Sequence, residues 1–153
     1  KVKEVYKHVP QVRFTGYVEE YDVPNIFNES AVVVFPYTST TGSSGVLHQA
    51  GSYGKAVVMP DIGDLALLVK NEGYQGEFFD PTSVESLAKS IETIVTNEAY
   101  RIHLSKINYD AATAHPMSEI ASMYLETFKR IIKRKYLAKR MVDSTTNAHE
   151  AIL

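Results

Sequence analysis

Cysteine is absent from the chain, which excludes a disulfide framework and any thiolate metal site and fits a reducing compartment. Long apolar runs are absent too. No stretch reaches the roughly 18 residues needed to cross a bilayer, and the opening Lys1-Val2-Lys3-Glu4 has none of the apolar core of a signal peptide. The expectation is an intracellular, cytoplasmic chain, with peripheral contact at a membrane left open. Metal-ligand spacing is missing as well: among His8, His48, His103, His115 and His149, no two stand at i, i+4 or at short-loop spacing. Charge of one sign is missing from the basic segment near the C-terminus. Lys129, Arg130, Lys133, Arg134, Lys135, Lys139 and Arg140 hold seven of the sixteen basic residues with no acid among them. The rest of the chain is therefore acidic, which argues against a nucleic-acid-binding surface on the folded part.

What the chain does contain suits one domain: 153 residues with 44% hydrophobic content are enough to bury a core. Its centre is the stretch from Thr38 to Pro60. The apolar run Ala31 to Phe35 reads as a buried strand, and so does the run Ala56 to Met59. Between them lie a loop of hydroxyls and glycines without net charge and a helix starting near Ser44. Gly42 and Gly45 let backbone approach a ligand, while Thr41, Ser43 and Ser44 supply hydroxyl donors. Val46 and Leu47 would offer first-turn N–H groups over packed side chains, at the positive end of the helix dipole. Gln49, four residues past Gly45, shares the loop-facing side one turn further in. A strand, a Gly/Ser loop and a helix N-terminus make an anion site, most often for phosphate. An ordinary strand-to-helix turn needs the same glycines, so both readings stay open.

Two other motifs fail on spacing. Gly42-Ser43-Ser44-Gly45 misses the Gly-x-Ser-x-Gly nucleophile elbow by one residue, and Gly54-Lys55 opens a strand instead of the helix of a phosphate loop. His48 points about 100° away from Gln49 on the helix, so it is read as a packing or surface residue.

Along the chain, Val2 to His8 reads as the end of a helix, and Val12 to Tyr17 as a strand. An aromatic or apolar residue at such a strand's carboxyl end, as with Tyr17 and Val18, stacks on a base or closes the core, and closing the core is commoner. Val23 to Phe27 reads as a short helix with proline in its first turn, completing a right-handed βαβ unit that makes the sheet parallel. A helix from Leu65 to Lys70, N-capped by Asp64, precedes a short strand at Gly76 to Asp80. Thr82-Ser83-Val84-Glu85 reads as a capping box for a helix burying Leu87, Ile91, Ile94 and Val95. Asn97 begins another helix, Pro116 interrupts, and a last helix has Ile120, Met123, Tyr124, Thr127, Phe128 and Ile131 on one stripe. Its basic continuation, residues 129–140, suits an anionic membrane, a partner domain or solvent. Ser144 to Leu153 lacks periodicity and is expected to fray.

Gly54-Lys55-Ala56-Val57-Val58 after a small-residue helix, then Asp61-Ile62-Gly63, then Gly76-Glu77-Phe78-Phe79-Asp80-Pro81 and a capped helix, resembles the donor-binding half of retaining GT-B glycosyltransferases of the group 1 (family 4) type. The resemblance runs from about Val12 to about Phe128. It implies a Rossmann-like parallel α/β sheet with flanking helices, the C-terminal half of a GT-B fold truncated at its N-terminus. Residues 1–128 would form a partial nucleotide-sugar-binding domain, and 129–153 a basic helical extension with a frayed tail. In the family the loop and helix read Glu-Gly-Phe-Gly with a second Glu eight positions after the first. Counting back from Gly54 puts Thr41 and Gln49 at the two acids, with Gly42 kept and Ser44 at the second glycine.

By the same resemblance, Thr41 contacts the transferred sugar, Gln49 accepts from the ribose hydroxyls, and Tyr17 and Val18 edge the nucleobase pocket. The substrate implied is a nucleoside-diphosphate sugar, with no separate cofactor and no metal. The reaction is transfer with retention to a glycan or lipid-linked acceptor held by an N-terminal acceptor domain not in this chain. Neutral residues at 41 and 49 support a competing reading, a non-catalytic nucleotide-binding or scaffolding module derived from the same family.

Overall fold

A computed structural model describes residues 2–39 and 44–150, with side chains described as far as residue 138. It divides the chain into two units, Lys1–Thr113 and Ala114–Leu153. The first unit carries α1 (Val2–Tyr6), α2 (Val23–Glu29), β1 (Val32–Val34), α3 (Gly45–Ser52), β2 (Ala56–Pro60), α4 (Leu65–Asn71), β3 (Glu77–Phe79), α5 (Val84–Thr96) and α6 (Glu98–Thr113). The second is the helix α7 (Met117–Glu150).

The three strands form one parallel sheet in the order β1-β2-β3, with Val32 opposite Ala56 and Val58 opposite Glu77. Each crossover contains one helix, α3 and then α4. Strand β2 lies in the middle and every one of its residues is buried, which explains an apolar run without alternation. Its side chains still alternate between faces. Ala56 and Val58 join Phe79, Ile94 and Leu104 under α5 and α6, while Val57 and Met59 join Phe27, Phe35, Leu47, Leu65 and Val69 among the core residues on the other side.

Helices α3 and α4 stop in the same way. Gly54 (φ 59°) and Gly73 (φ 87°) hold left-handed conformations that disfavour a side chain. After α3, Gly54 donates to the Gly51 carbonyl and Lys55 to that of Ala50; after α4, Gly73 donates to Lys70 and Tyr74 to Val69. These are two Schellman endings, which satisfy the last carbonyls and turn the chain towards its next strand.

Where α3 crosses α6 there is no room for a side chain at Gly51. A Cβ there would lie 2.7 Å from the Tyr74 ring, 2.8 Å from the Asn108 carbonyl oxygen and 3.0 Å from the Ala112 Cβ. Asn108 itself is fully buried. Its Nδ2 donates to the Lys55 carbonyl at 3.0 Å, and its Oδ1 accepts from the Gln75 N–H at 2.8 Å. One side chain of α6 thus ties down the residues leading into both β2 and β3.

Several expectations are corrected. Val12 to Tyr17 forms no strand among the described residues, and its run is broken by the left-handed Gly16 (φ 69°); the first βαβ unit is instead β1-α3-β2. Asp64 occupies the N-cap position of α4 without a side-chain capping bond. The cap of α5 is one residue later than expected. Asp80 Oδ1 takes both the N–H (2.8 Å) and the hydroxyl (2.7 Å) of Thr82, so Ser83 becomes the cap and accepts from the Ser86 N–H at 3.1 Å. These bonds to Thr82 also hold the Asp80 carboxyl below its ordinary pKa. Val95 is exposed, not buried with Ile94. The backbone of α7 stays helical to Glu150, past the expected fraying point at Ser144.

Tyr100 of α6 donates its hydroxyl to Glu77 Oε1 on β3 at 2.7 Å. Burial, then the hydrogen bond and the charge of Glu77, push its pKa from 10.0 up to about 12. A raised folded pKa favours the neutral phenol. The contribution is therefore fully present below about pH 10 and lost as pH rises through about 12. Urea unfolding near the two ends of that window is expected to show a fall in stability that Tyr100→Phe removes. An equal fall in the variant would assign it to other groups.

Candidate nucleotide-sugar site

In a parallel sheet the carboxyl ends of the strands share one edge, and ligands of open α/β sheets bind there. Beyond β1 the chain passes through Phe35, Pro36, Tyr37 and Thr38, all at that edge, and returns at Ser44 to start α3. Thr41, Gly42 and Ser43 lie outside the described residues. Ser44 caps α3 with extended backbone, its Oγ accepting from the Val46 N–H at 3.3 Å. The same Oγ is 3.1 Å from the Tyr37 hydroxyl. Tyr37 packs edge-on to buried Phe35, with ring centroids 5.7 Å apart, so the strand end and the helix start are joined through one side-chain contact.

The first turn of α3 is organised around Ser44. Its carbonyl accepts from the Leu47 N–H at 2.8 Å, and its hydroxyl takes that of Val46, so both amides expected to face a ligand already have a local partner. The Val46 contact is long and yields readily to a better acceptor. Leu47 is buried beneath the turn as expected, whereas the Val46 side chain is exposed. A Cβ at Gly45 would meet nothing within 4 Å among the described residues. Gln49 is exposed on α3. No charged side chain belongs to the segments 35–39 or 44–47, which leaves the helix dipole and hydroxyl groups as the local electrostatics.

Two clefts adjoin this architecture. A small one of about 130 Å³ lies between Pro36, Tyr37 and Thr38 after β1 and Pro81, Thr82, Ser83 and Val84 at the start of α5. It brings a second capped helix start to the same sheet edge. A larger polar cleft of about 440 Å³ is lined by Arg13, Thr15, Tyr17, Val18, Asp22, Asn25, Ile26 and Glu29. Tyr17 is 86% exposed and Val18 half-buried, so neither closes the core. All of this lining comes from residues 13–29, and none from α3. The structure thus gathers Ser44, Gly45, Val46, Leu47 and Gln49 on one helix start and sets Tyr17 and Val18 in a separate cleft.

Sequence reasoning missed Tyr37 and the Ser83 cap as parts of this edge. The signal for Tyr37 was its place directly after the apolar run of β1. His48 is a surface residue on α3, its Nδ1 2.8 Å from the Tyr74 hydroxyl and its Nε2 3.8 Å from Glu72. Burial, then the Glu72 charge, raises the Tyr74 pKa, so that hydroxyl stays a neutral partner. No group of three metal-ligating side chains occurs among the described residues.

Residues 1–97 match the family described as glycosyl transferases group 1. Nine solved chains match. One of them, sucrose-phosphate synthase from Thermosynechococcus elongatus, superposes with a TM-score of 0.73 at 20% identity, covering 87% of this chain. The chain spans 33% of the length of that synthase. At such identity the likeness speaks to the fold alone, and the parallel sheet with flanking helices is that of the GT-B arrangement. No curated protein matches.

Proposed function

Because the chain belongs to the group 1 glycosyl transferases, we propose that it is the donor-binding half of a retaining, family 4 type enzyme, transferring a sugar from a nucleoside-diphosphate sugar to a glycan or lipid-linked acceptor. The observation that carries this reading is the capped start of α3. It lies at the carboxyl edge of β1, where peptide N–H groups and the helix dipole favour a diphosphate. Gly42, Ser43, Ser44 and Gly45 would surround the phosphates, with the first-turn amides of Val46 and Leu47 exchanging their local partner for the ligand. Gln49, exposed one turn on, would accept from the ribose hydroxyls. Tyr17 and Val18 would edge the base, and Thr41 would touch the transferred sugar.

Retention by front-side attack asks mainly for electrostatic support of the departing diphosphate, because the leaving phosphate itself takes the acceptor's proton. Uncharged amides and hydroxyls supply part of that support. The acceptor-binding domain would be a separate N-terminal partner, and the donor is a substrate that requires no further cofactor.

Thr41 and Gln49, neutral where the family carries acids, favour a second reading, a nucleotide-binding module without transfer. Thermal unfolding with UDP, GDP, ADP and their sugar conjugates tests the site. A ligand at 100 times its Kd stabilises by about 2.7 kcal/mol, so one nucleotide is expected to raise Tm selectively. Gln49→Ala is expected to remove most of the rise and Ser44→Ala to weaken it. A rise unaffected by either change would move the nucleotide away from α3. Binding without sugar transfer by the protein joined to its acceptor domain would favour the second reading.

A further inference from the structure

Taken by itself, helix α7 combines two features that one partner explains. At about 100° per residue, Ile120, Tyr124, Leu125, Phe128, Ile131 and Ile132 fall within an arc of about 140°. Ile120 is half-buried and the other five are exposed, Tyr124 at 62%, Phe128 at 56% and Ile132 at 67%. Lys129 and Lys133 follow one border of this stripe, and Arg130 and Arg134 the other, with exposed Met123 between them; Lys135 falls inside the arc at its carboxyl end, where its long stem can carry the ammonium up to the headgroups. Between Glu126 and Asp143 there is no acidic residue, and Glu126 is itself paired with Lys129 at 2.9 Å.

We propose that α7, from Ile120 to Tyr136, lies in the headgroup plane of an anionic lipid bilayer. Charge complementarity selects this occupant. Cations on both borders of an apolar stripe suit a surface whose phosphates surround the buried face on every side, with lysine and arginine stems lying along the apolar boundary. A second copy packed through the same stripe would set basic borders against basic borders. Crossing the bilayer is a different matter, because no helix among the described residues is long and apolar enough to do so. The helix therefore lies along the surface, its stripe reaching the headgroup–acyl boundary.

The chain contains no tryptophan, so Phe128→Trp introduces a single fluorescent reporter at the centre of the stripe. The protein is mixed with vesicles of phosphatidylcholine alone or with about a third phosphatidylglycerol, and retention on sedimentation is measured at low and high salt. Retention is expected on the anionic vesicles only, with loss at high salt and a blue shift of the introduced indole on binding. Each basic residue near the surface multiplies partitioning about fivefold, so the double change Lys133→Glu and Arg134→Glu is expected to lower the retained fraction tenfold or more. Circular dichroism checks that both variants keep their helix. No retention, equal retention on neutral vesicles, or retention with an unshifted indole would overturn the proposal. An indole already buried in a self-associated protein before vesicles are added would do so too, by assigning the stripe to a second copy.

Discussion

Replacing Asn108 with alanine is expected to lower the stability of the first unit by about 1–3 kcal/mol, the cost of leaving one buried polar group unsatisfied. Two backbone groups lose their partner, but the Gln75 N–H belongs to an exposed residue that water can reach. The Lys55 carbonyl would lose its donor at 3.0 Å and the Gln75 N–H its acceptor at 2.8 Å. Both lie beside a side chain with no solvent exposure, and the truncated residue would leave a void besides. Chemical denaturation reads the effect directly.

Asn108→Asp separates the two bonds. The carboxylate keeps an acceptor for Gln75 but sets an oxygen against the Lys55 carbonyl, and burial disfavours its charge. Its pKa in the folded state is therefore raised, so the missing stability returns below the ordinary carboxylate range and is lost again as pH rises. Stability of Asn108→Asp equal to wild type at neutral pH would show that the Lys55 bond contributes nothing.

Gly51→Val is expected to cost about 3 kcal/mol, at the upper end of what overpacking a core commonly does. The comparison with Gly51→Ala makes the argument quantitative. Alanine gains up to about 1 kcal/mol over glycine within a helix, which offsets part of the collision its Cβ makes with the Asn108 carbonyl oxygen at 2.8 Å. Valine keeps little of that gain and adds two methyl groups where no space exists. The Tyr74 ring can give way but the backbone of α6 cannot, so α3 must move as a body. Since α3 starts at Ser44, the same variant is expected to weaken nucleotide binding beyond its effect on folding, measured at a temperature where both proteins are folded. Wild-type affinity in a destabilised Gly51→Val protein would show that the start of α3 is held from its other end alone.

What the sequence made legible was local. The β-branched runs of β1 and β2 and the hydroxyl that opens α3 are determined within a few residues, and each was found where expected. Val12 to Tyr17 has the composition of a strand, but a strand exists only through its neighbour, and pairing lies outside any window of sequence. The cap of α5 moved by one residue for a related reason: Asp80 competes for Thr82, a contest that side-chain spacing does not reveal. Asn108, a polar residue in mid-helix, gave no sign that two distant backbone segments depend on it. For the candidate site, the helix start and its hydroxyl cap were legible, whereas Tyr37 and the cleft beside Ser83 required the sheet to bring residues more than forty positions apart to one edge.

The contact between Tyr37 and Ser44 has a consequence for how such a domain can be altered. It joins the residues that flank the stretch 38–43, and each flank is anchored in the core, by Phe35 after β1 and by Leu47 in α3. The entropy of closing a segment between fixed ends changes only slowly with its length. A change of length between those two anchors is therefore expected to cost the scaffold little.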